Sequence, residues 1–246
     1  MPKGDALESI PGLGAVWRTA TRPVGSVRAV RTTEPLVVLT YDDGPLAGQT
    51  EGVLASLSDT GSTATFFVLM TKVRRAPGLL REVVAAGHEV ALHGPDHRRL
   101  VGLPVKEVTE RTRAARFELE DLLGAPVRWI RPPYGSQTPP TWAAVRRAGL
   151  TPVMWGGTTW DWKDIPTQDR LARAIPHLVP GQILLAHDAL AGLEDGAEDR
   201  PSFDLDRGAF ARELLGAIDA HGYRAVSLVD ALARGARLRT WAWFGR

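Results

Sequence analysis

The sequence predicts an α/β fold, a distorted TIM-like (β/α) barrel with about seven parallel strands. Short apolar runs alternate with segments of helical periodicity, which is typical of a parallel sheet buried on both faces. The length of 246 residues suits one such barrel, although a doubly wound open sheet would show the same alternation. Residues 1–34 are weakly patterned, and we expect them to form an N-terminal arm packed on a domain that spans residues 35–246.

The predicted strands are short runs rich in β-branched and other apolar residues. The first is PLVVLTY at residues 35–41, whose length and composition are those of a buried strand. The second, TATFFVL at 63–69, and the third, HEVALH at 88–93, repeat this composition. The remaining four predicted strands cover residues 127–130, 151–156, 182–187 and 223–228.

The predicted helices lie between these strands and have recognisable boundaries. In APGLLREVVAAG at 76–87, Pro77 stands near the start and Gly87 at the end, as is common for helices. The longest helix, at 105–124, has apolar positions three and four residues apart. The other helices are predicted over residues 51–61, 140–149, 170–179, 208–222 and 229–234.

The composition excludes several classes of function. The absence of cysteine excludes disulfides, cysteine-ligated zinc and thiol catalysis. The net charge is only +2 and the arginines are mixed with acidic residues, so we expect no nucleic-acid partner. No apolar run has the length of a membrane span, and the first residues lack the apolar core of a signal peptide. We therefore expect a cytoplasmic monomer, or an exported protein if a leader has been removed.

Residues capable of chemistry follow the predicted strands, at their C-terminal ends. Active sites of (β/α) barrels are built at that end, so the clustering favours a barrel with one catalytic face. An Asp-Asp pair is more often a solvated turn, and a lone histidine is more often structural, but seven such residues at one end favour a shared site. The residues are Asp42, Asp43, His93, His97, Arg131, Asp161 and His187.

The same residues suit a metal-assisted reaction. Two adjacent carboxylates can take different tasks, because their environments can separate their pKa values. One carboxylate and two imidazoles form a ligand set that leaves metal positions open for water and substrate. Zinc fits two nitrogens and one oxygen, and cobalt or iron could occupy the same set.

Five ordered motifs carry a resemblance to a known family. Over residues 35–230 the chain resembles the polysaccharide deacetylases, also called carbohydrate esterase family 4 or the NodB-homology domain. The resemblance implies that residues 35–246 are the catalytic barrel of a hydrolase acting on linear amides. The motifs are TYDDGP (40–45), HGPDH (93–97), RPPYG (131–135), WDW (160–162) and LLAH (184–187).

The resemblance also implies a role for each site residue. Asp43, His93 and His97 would bind a divalent metal, most simply zinc, and Asp42 would be the catalytic base. The other implied roles are Arg131 orienting Asp42, the backbone N–H of Tyr134 stabilising the oxyanion, His187 acting as the acid, Asp161 raising the pKa of His187, and Tyr134, Trp162 and Leu185 contacting the substrate.

Two positions depart from the family pattern. Gly94 stands where the family usually has Ser or Thr, whose hydroxyl steadies the loop, so the loop must be held by other contacts. Thr158 stands where motif four commonly begins with aspartate. We expect Gly94 to turn the chain after the strand, and Pro95 to begin a short helical turn that contains His97.

The stretch after His187, residues 189–208, is long, acidic and rich in glycine and proline. One hypothesis is that it forms the rim of the site and attracts cationic, partly deacetylated sugars. The alternative is a solvated surface loop. The acidic residues concerned are Glu194, Asp195, Glu198 and Asp199.

The sequence thus predicts a metal-dependent N-deacetylase of N-acetylated amino sugars, in chitooligosaccharide, peptidoglycan or a related glycan. A second hypothesis keeps the same site but assigns it a small amide, such as a sugar intermediate or a ureide. A third is an inactive carbohydrate-binding barrel, for which Gly94 and Thr158 are the only support.

Overall fold

The computed structural model describes residues 25–199 and 203–242 of the chain. Strands and helices alternate along most of this length, as the sequence predicts. In chain order the elements are β1 (Ser26–Arg31), β2 (Leu36–Asp42), α1 (Thr50–Asp59), β3 (Thr65–Leu69), α2 (Met70–Arg75), α3 (Pro77–Ala85), β4 (Glu89–Gly94), α4 (Val105–Leu123), β5 (Trp129–Ile130), α5 (Pro139–Arg147), β6 (Thr151–Pro152), β7 (Gly157–Thr158), α6 (Thr167–Ala174), β8 (Ile183–His187), α7 (Arg207–Ala220), β9 (Arg224–Val226), α8 (Leu228–Ala233) and β10 (Arg237–Trp241).

Eight parallel strands form one curled sheet, in which seven follow the order β6-β5-β4-β3-β2-β8-β7 and β9 also pairs with β2. This order is that of a barrel opened between β6 and β7, and it confirms the predicted distorted (β/α) barrel. Strand β1 lies across the opening. Val27 forms a bridge to Val153 beside β6, and Val30 N–H donates to the carbonyl of Gly181 ahead of β8 at 2.8 Å.

The residues of β2 alternate between two apolar layers, because successive side chains of a strand point to opposite faces. Val37 and Leu39 join the layer that packs against the helices. Leu36 and Val38 join the inner layer, which fills the barrel together with residues such as Phe67 and Ile183. Asp42 has the inward parity of Leu36 and Val38, so β2 ends with a carboxylate above the filled interior.

Three predicted elements differ from the structure. The strand predicted at 151–156 is reduced to β6, because Pro152 lacks an N–H, and β7 begins only at Gly157, after the predicted end. The strand predicted at 223–228 is reduced to β9, which pairs with only the first half of β2. The helix predicted at 170–179 ends at Ala174, where a 3₁₀ turn containing Pro176 replaces it.

Helix α2 and strands β1 and β10 were not predicted. Helix α2 is too short to show helical periodicity. Strand β1 pairs antiparallel with β10 at the far end of the chain. The predicted N-terminal arm, residues 1–34, is described only from Gly25, and residues 1–24 lie outside the described part. Within the described residues, no helix combines the length and apolarity needed to cross a membrane.

Candidate active site and metal-binding site

A cavity of about 460 Å³ lies at the C-terminal ends of the strands. Eight of the ten residues that the sequence predicts for the site line it, and the other two, Arg131 and Asp161, are buried side chains that contact lining residues. The eight lining residues are Asp42, Asp43, His93, His97, Tyr134, Trp162, Leu185 and His187.

Three of these residues form a compact group suited to a metal ion. Nε2 of His93 lies 3.2 Å and Nε2 of His97 lies 3.3 Å from the same oxygen, Oδ1 of Asp43. That oxygen is buried and accepts no hydrogen bond from a described residue. A buried carboxylate oxygen facing two imidazole nitrogens is the donor set that divalent transition metals prefer. Asp43, His93 and His97 therefore fit a divalent metal.

Charge also suits Asp43 to bind a cation. Burial alone would raise the pKa of Asp43, but His97 and His93 outweigh it and hold the pKa well below its usual range. The backbone of Asp43 has φ +74°, a conformation that side-chain-bearing residues rarely adopt. In the described part of the chain, the other non-glycine residues with positive φ are Tyr134 and Trp160, in or beside the RPPYG and WDW motifs. Such strain concentrates at functional sites.

The loop between the two histidines differs from the prediction. Residues 95–97 form a bend and not a helical turn, so the expected helical position of His97 is wrong. Gly94 is required by this path, because its φ is +157° and a Cβ there would lie 2.7 Å from the carbonyl oxygen of Asp96. A serine or threonine at position 94 would thus collide with the backbone of this loop.

On one side of the cavity, Asp42 is paired with a buried guanidinium. Nη1 of Arg131 donates to Oδ1 of Asp42 at 2.6 Å and to the hydroxyl of Thr40 at 2.9 Å. The remaining donors of Arg131 reach the carbonyls of Val153 and Met154, both at 3.2 Å. Arg131 is fully buried, so it holds Asp42 in one orientation.

On the opposite side, His187 is paired with a buried carboxylate. Nδ1 of His187 lies 2.8 Å from Oδ1 of Asp161, whose Oδ2 accepts the backbone N–H of His187, also at 2.8 Å. Burial alone would lower the pKa of His187, but Asp161, with help from Asp43 and Asp42, raises it. This direction agrees with the role that the resemblance implies for Asp161, which stays a prediction.

Arg207 completes this side of the site and was not predicted. Its Nη1 donates to Oδ2 of Asp161 at 2.8 Å and to the carbonyl of the same residue at 3.1 Å. Burial alone would raise the pKa of Asp161, but His187 and Arg207 lower it. One feature of the sequence could have indicated a role for Arg207. It begins α7, where a cation is unfavourable because of the helix dipole, so an arginine there suggests a role other than stabilising the helix.

The three predicted substrate contacts surround the space between these two sides. Leu185 lies on β8, two residues before His187 and on the same face of the strand. The ring of Trp162 stands edge-on to His187 at 5.5 Å between centroids, and the ring of Tyr134 stands edge-on to His97 at 4.3 Å. The oxyanion role of the Tyr134 N–H stays a prediction.

The acidic stretch after β8 lines one wall of the cavity, but its four acids are not equivalent. Asp195 is fully buried, and Glu198 is paired with Arg99, whose guanidinium lies 4.0 Å above the ring of Tyr134. Asp199 is exposed and lines the cavity. Glu194 is exposed but is not among the residues that line the cavity, so the hypothesis that these acids attract cationic sugars is narrowed to Asp199.

Sequence comparisons agree with the geometry. A family profile described as polysaccharide deacetylase matches residues 29–153. The chitooligosaccharide deacetylase of Sinorhizobium fredii is 35% identical over 202 residues, which cover 80% of this chain and 92% of that protein. The peptidoglycan-N-acetylglucosamine deacetylase PgdA of Listeria monocytogenes is 34% identical over 160 residues, 63% of this chain but only 33% of that protein.

A structural comparison gives the same result. The solved structure of the peptidoglycan deacetylase PdaC from Bacillus subtilis superimposes with a TM-score of 0.68 at 27% sequence identity. The match covers 82% of this chain and 91% of that chain. The similarity in fold thus extends over most of this chain.

Proposed function

The chain belongs to the polysaccharide deacetylase family, and we propose that it is a metal-dependent N-deacetylase of N-acetylated amino sugars in glycans. It is a hydrolase of carbon–nitrogen bonds other than peptide bonds. We propose the acetamide as the amide that is hydrolysed, a glycan as the substrate and a divalent metal as the cofactor. Relatives named for chitooligosaccharide and peptidoglycan support the substrate class.

One observation carries the proposal. Asp42 and His187 face one cavity from adjacent strands. The carboxylate of Asp42 is paired with the cation Arg131, and the imidazole of His187 is paired with the anion Asp161. The donor set of Asp43, His93 and His97 lines the same cavity. A base, an acid and a metal-binding group around one space are what amide hydrolysis by water requires.

Two residues of the chain carry out the proton transfers, Asp42 as the acceptor and His187 as the donor. When bound, a divalent ion supplies a Lewis acid that polarises the acetamide carbonyl and activates water. Asp42 accepts a proton as water adds to the carbonyl carbon, while Arg131 keeps the accepting oxygen oriented. His187 donates a proton to the nitrogen as the carbon–nitrogen bond breaks, which releases acetate and a free amine. The backbone N–H of Tyr134 would stabilise the oxyanion.

The walls of the cavity support an acetyl-bearing substrate. Leu185 and Trp162 offer apolar surface close to His187, where the methyl of an acetyl group would avoid water. A cavity of about 460 Å³ has room for an amino sugar and is within the range of small-molecule sites.

A substrate panel tests the proposal. Metal-free and metal-loaded protein are incubated with chitooligosaccharides, peptidoglycan fragments, small acetamido sugars and ureides, and released acetate and amine are measured. We expect release from the oligosaccharides only with metal present. Release from small amides alone would favour the second hypothesis, and binding without turnover would favour an inactive carbohydrate-binding barrel.

A further inference from the structure

The segment that follows β8 contacts three separate parts of the site. The N–H of Ala191 donates to Oδ2 of Asp43 at 3.1 Å, and the N–H of Glu198 donates to the hydroxyl of Tyr134 at 2.9 Å. Between them, the carbonyl of Asp195 accepts the backbone N–H of His97 at 2.7 Å. The segment thus touches two of the three residues that fit the metal.

Asp195 anchors this segment to the barrel. Its carboxylate is fully buried and meets two residues of α2: it accepts the hydroxyl of Thr71 at 2.8 Å and forms a close ion pair with Arg75. The other oxygen accepts the N–H of Gly192 at 3.2 Å. Buried Lys72, also on α2, lies 3.8 Å from it and donates to the carbonyl of Leu190 at 2.8 Å.

These contacts explain how the His93–His97 loop is held. A hydroxyl-bearing residue at position 94 has no space, because the glycine there follows a path that a Cβ would block. The loop is held from outside instead, by the hydrogen bond between His97 N–H and the carbonyl of Asp195. Asp96 adds a second restraint through Nη2 of Arg111 on α4 at 2.6 Å.

We propose that Asp195 is a positioning residue of the metal site. Its buried carboxylate, fixed to α2, orients its own carbonyl toward His97 and fixes the segment from which Ala191 reaches Asp43. Contacts of this kind orient metal ligands, and their loss typically weakens metal binding about 10- to 100-fold. The inference rests on the proposed metal-dependent function.

Metal binding by the apo protein tests the proposal without relying on turnover. Co²⁺ is titrated into wild type, Asp195→Ala and Asp195→Asn, and the dissociation constant and the visible ligand-field spectrum are recorded. We expect the dissociation constant to rise about tenfold or more in Asp195→Ala, with an altered spectrum. Asp195→Asn, which keeps an acceptor for Thr71 and Arg75, should recover part of the affinity.

Glu194→Gln is the matched control, because Glu194 is the exposed neighbour of Asp195 on the same turn. It should bind Co²⁺ as wild type does. A folded Asp195→Ala with wild-type affinity and spectrum would overturn the inference and leave the proposed function intact. A wild-type protein that binds no Co²⁺ at this site would instead overturn the proposed metal dependence, and the inference with it.

Two milder variants keep the test valid if Asp195→Ala does not fold. Thr71→Val and Arg75→Gln each remove one partner of the carboxylate and leave Lys72 paired. Each should raise the Co²⁺ dissociation constant by about two- to fivefold, the effect of one hydrogen bond. Unchanged affinity in both would contradict the positioning role.

Discussion

The two sides of the cavity pair the two groups that we propose transfer protons, Asp42 and His187, with residues of opposite charge. Asp42 and His187 are register partners on the adjacent strands β2 and β8. The proposed base, Asp42, forms an ion pair with Arg131. The proposed acid, His187, is paired with the carboxylate of Asp161, which also forms an ion pair with Arg207.

The two sides differ in the number of charged residues that support the group facing the cavity, and the chemistry of each group explains the difference. A carboxylate base needs one neighbour that holds it oriented, and Arg131 does so through a hydrogen bond to Oδ1 of Asp42. A histidine acid needs an anion to keep its proton, and a buried anion needs its own donors to remain ionised. Arg207 supplies such donors to Asp161, so the side with His187 contains one more charged supporting residue than the side with Asp42.

Removing the base should have the largest effect. Asp42→Asn keeps the shape of the side chain but cannot accept the proton from water, so acetate release should fall about 10³-fold. Co²⁺ binding to Asp43, His93 and His97 should persist, which separates loss of the base from loss of the metal. Acetate release within tenfold of wild type would show that another group serves as the base.

Removing the acid should have an effect that depends on the leaving group. His187→Asn should lose about 10²-fold on an N-acetylated sugar, because an amine cannot leave without a proton. On 4-nitrophenyl acetate, whose phenolate leaves unprotonated, the same variant should lose little. Asp42→Asn should be impaired on both substrates, and equal losses for His187→Asn on both would refute the division of roles.

Removing the anion behind the acid should change the pH dependence. Asp161 raises the pKa of His187, so wild type keeps the acid protonated to higher pH. In Asp161→Asn the pKa falls, and the alkaline limb of kcat/KM should move to lower pH. Arg207→Gln is the matched control, since it removes the cation that shares Asp161, and its limb should move the other way. Superimposable profiles would contradict this account.

The smallest effect should come from replacing Asp199, which lines the cavity but contacts neither Asp42 nor His187 in the hydrogen bonds described above. Asp199 lines the cavity and is exposed, whereas Glu198 is paired with Arg99. Asp199→Asn should change the preference between fully acetylated and partly deacetylated oligosaccharides severalfold and leave the pH profile unaltered. Glu198→Gln is the comparison, and an unchanged preference in Asp199→Asn would refute a role in specificity.

The sequence was sufficient for the strand ends of the barrel. The apolar runs of β2 and β8 are unambiguous, and the motifs at their ends brought Asp42 and His187 to one cavity as predicted. It was insufficient where short-range pattern does not decide structure. Pro152 ends β6 only two residues into a predicted strand, and the loop after Gly94 is held by a distant segment through the hydrogen bond from His97 N–H to the carbonyl of Asp195.

The supporting residues of the site were the hardest to predict. Arg207 lies twenty residues beyond His187 by the numbering, and no spacing rule brings it to Asp161. Asp195 lies in an acidic stretch whose composition indicates solvent exposure, yet it is buried because α2 offers Lys72 and Arg75. Both are tertiary contacts between charged side chains, which periodicity does not encode.

We propose that Asp43, His93 and His97 bind the metal of a deacetylase, and acetate release against added metal tests this proposal most directly. Metal-free protein is titrated with Zn²⁺ in the presence of an N-acetylated chitooligosaccharide, beside His93→Ala. We expect no release without metal, a rise that saturates at one equivalent, and no response in the variant. Full release by the metal-free protein, or none at any metal concentration, would contradict the proposal.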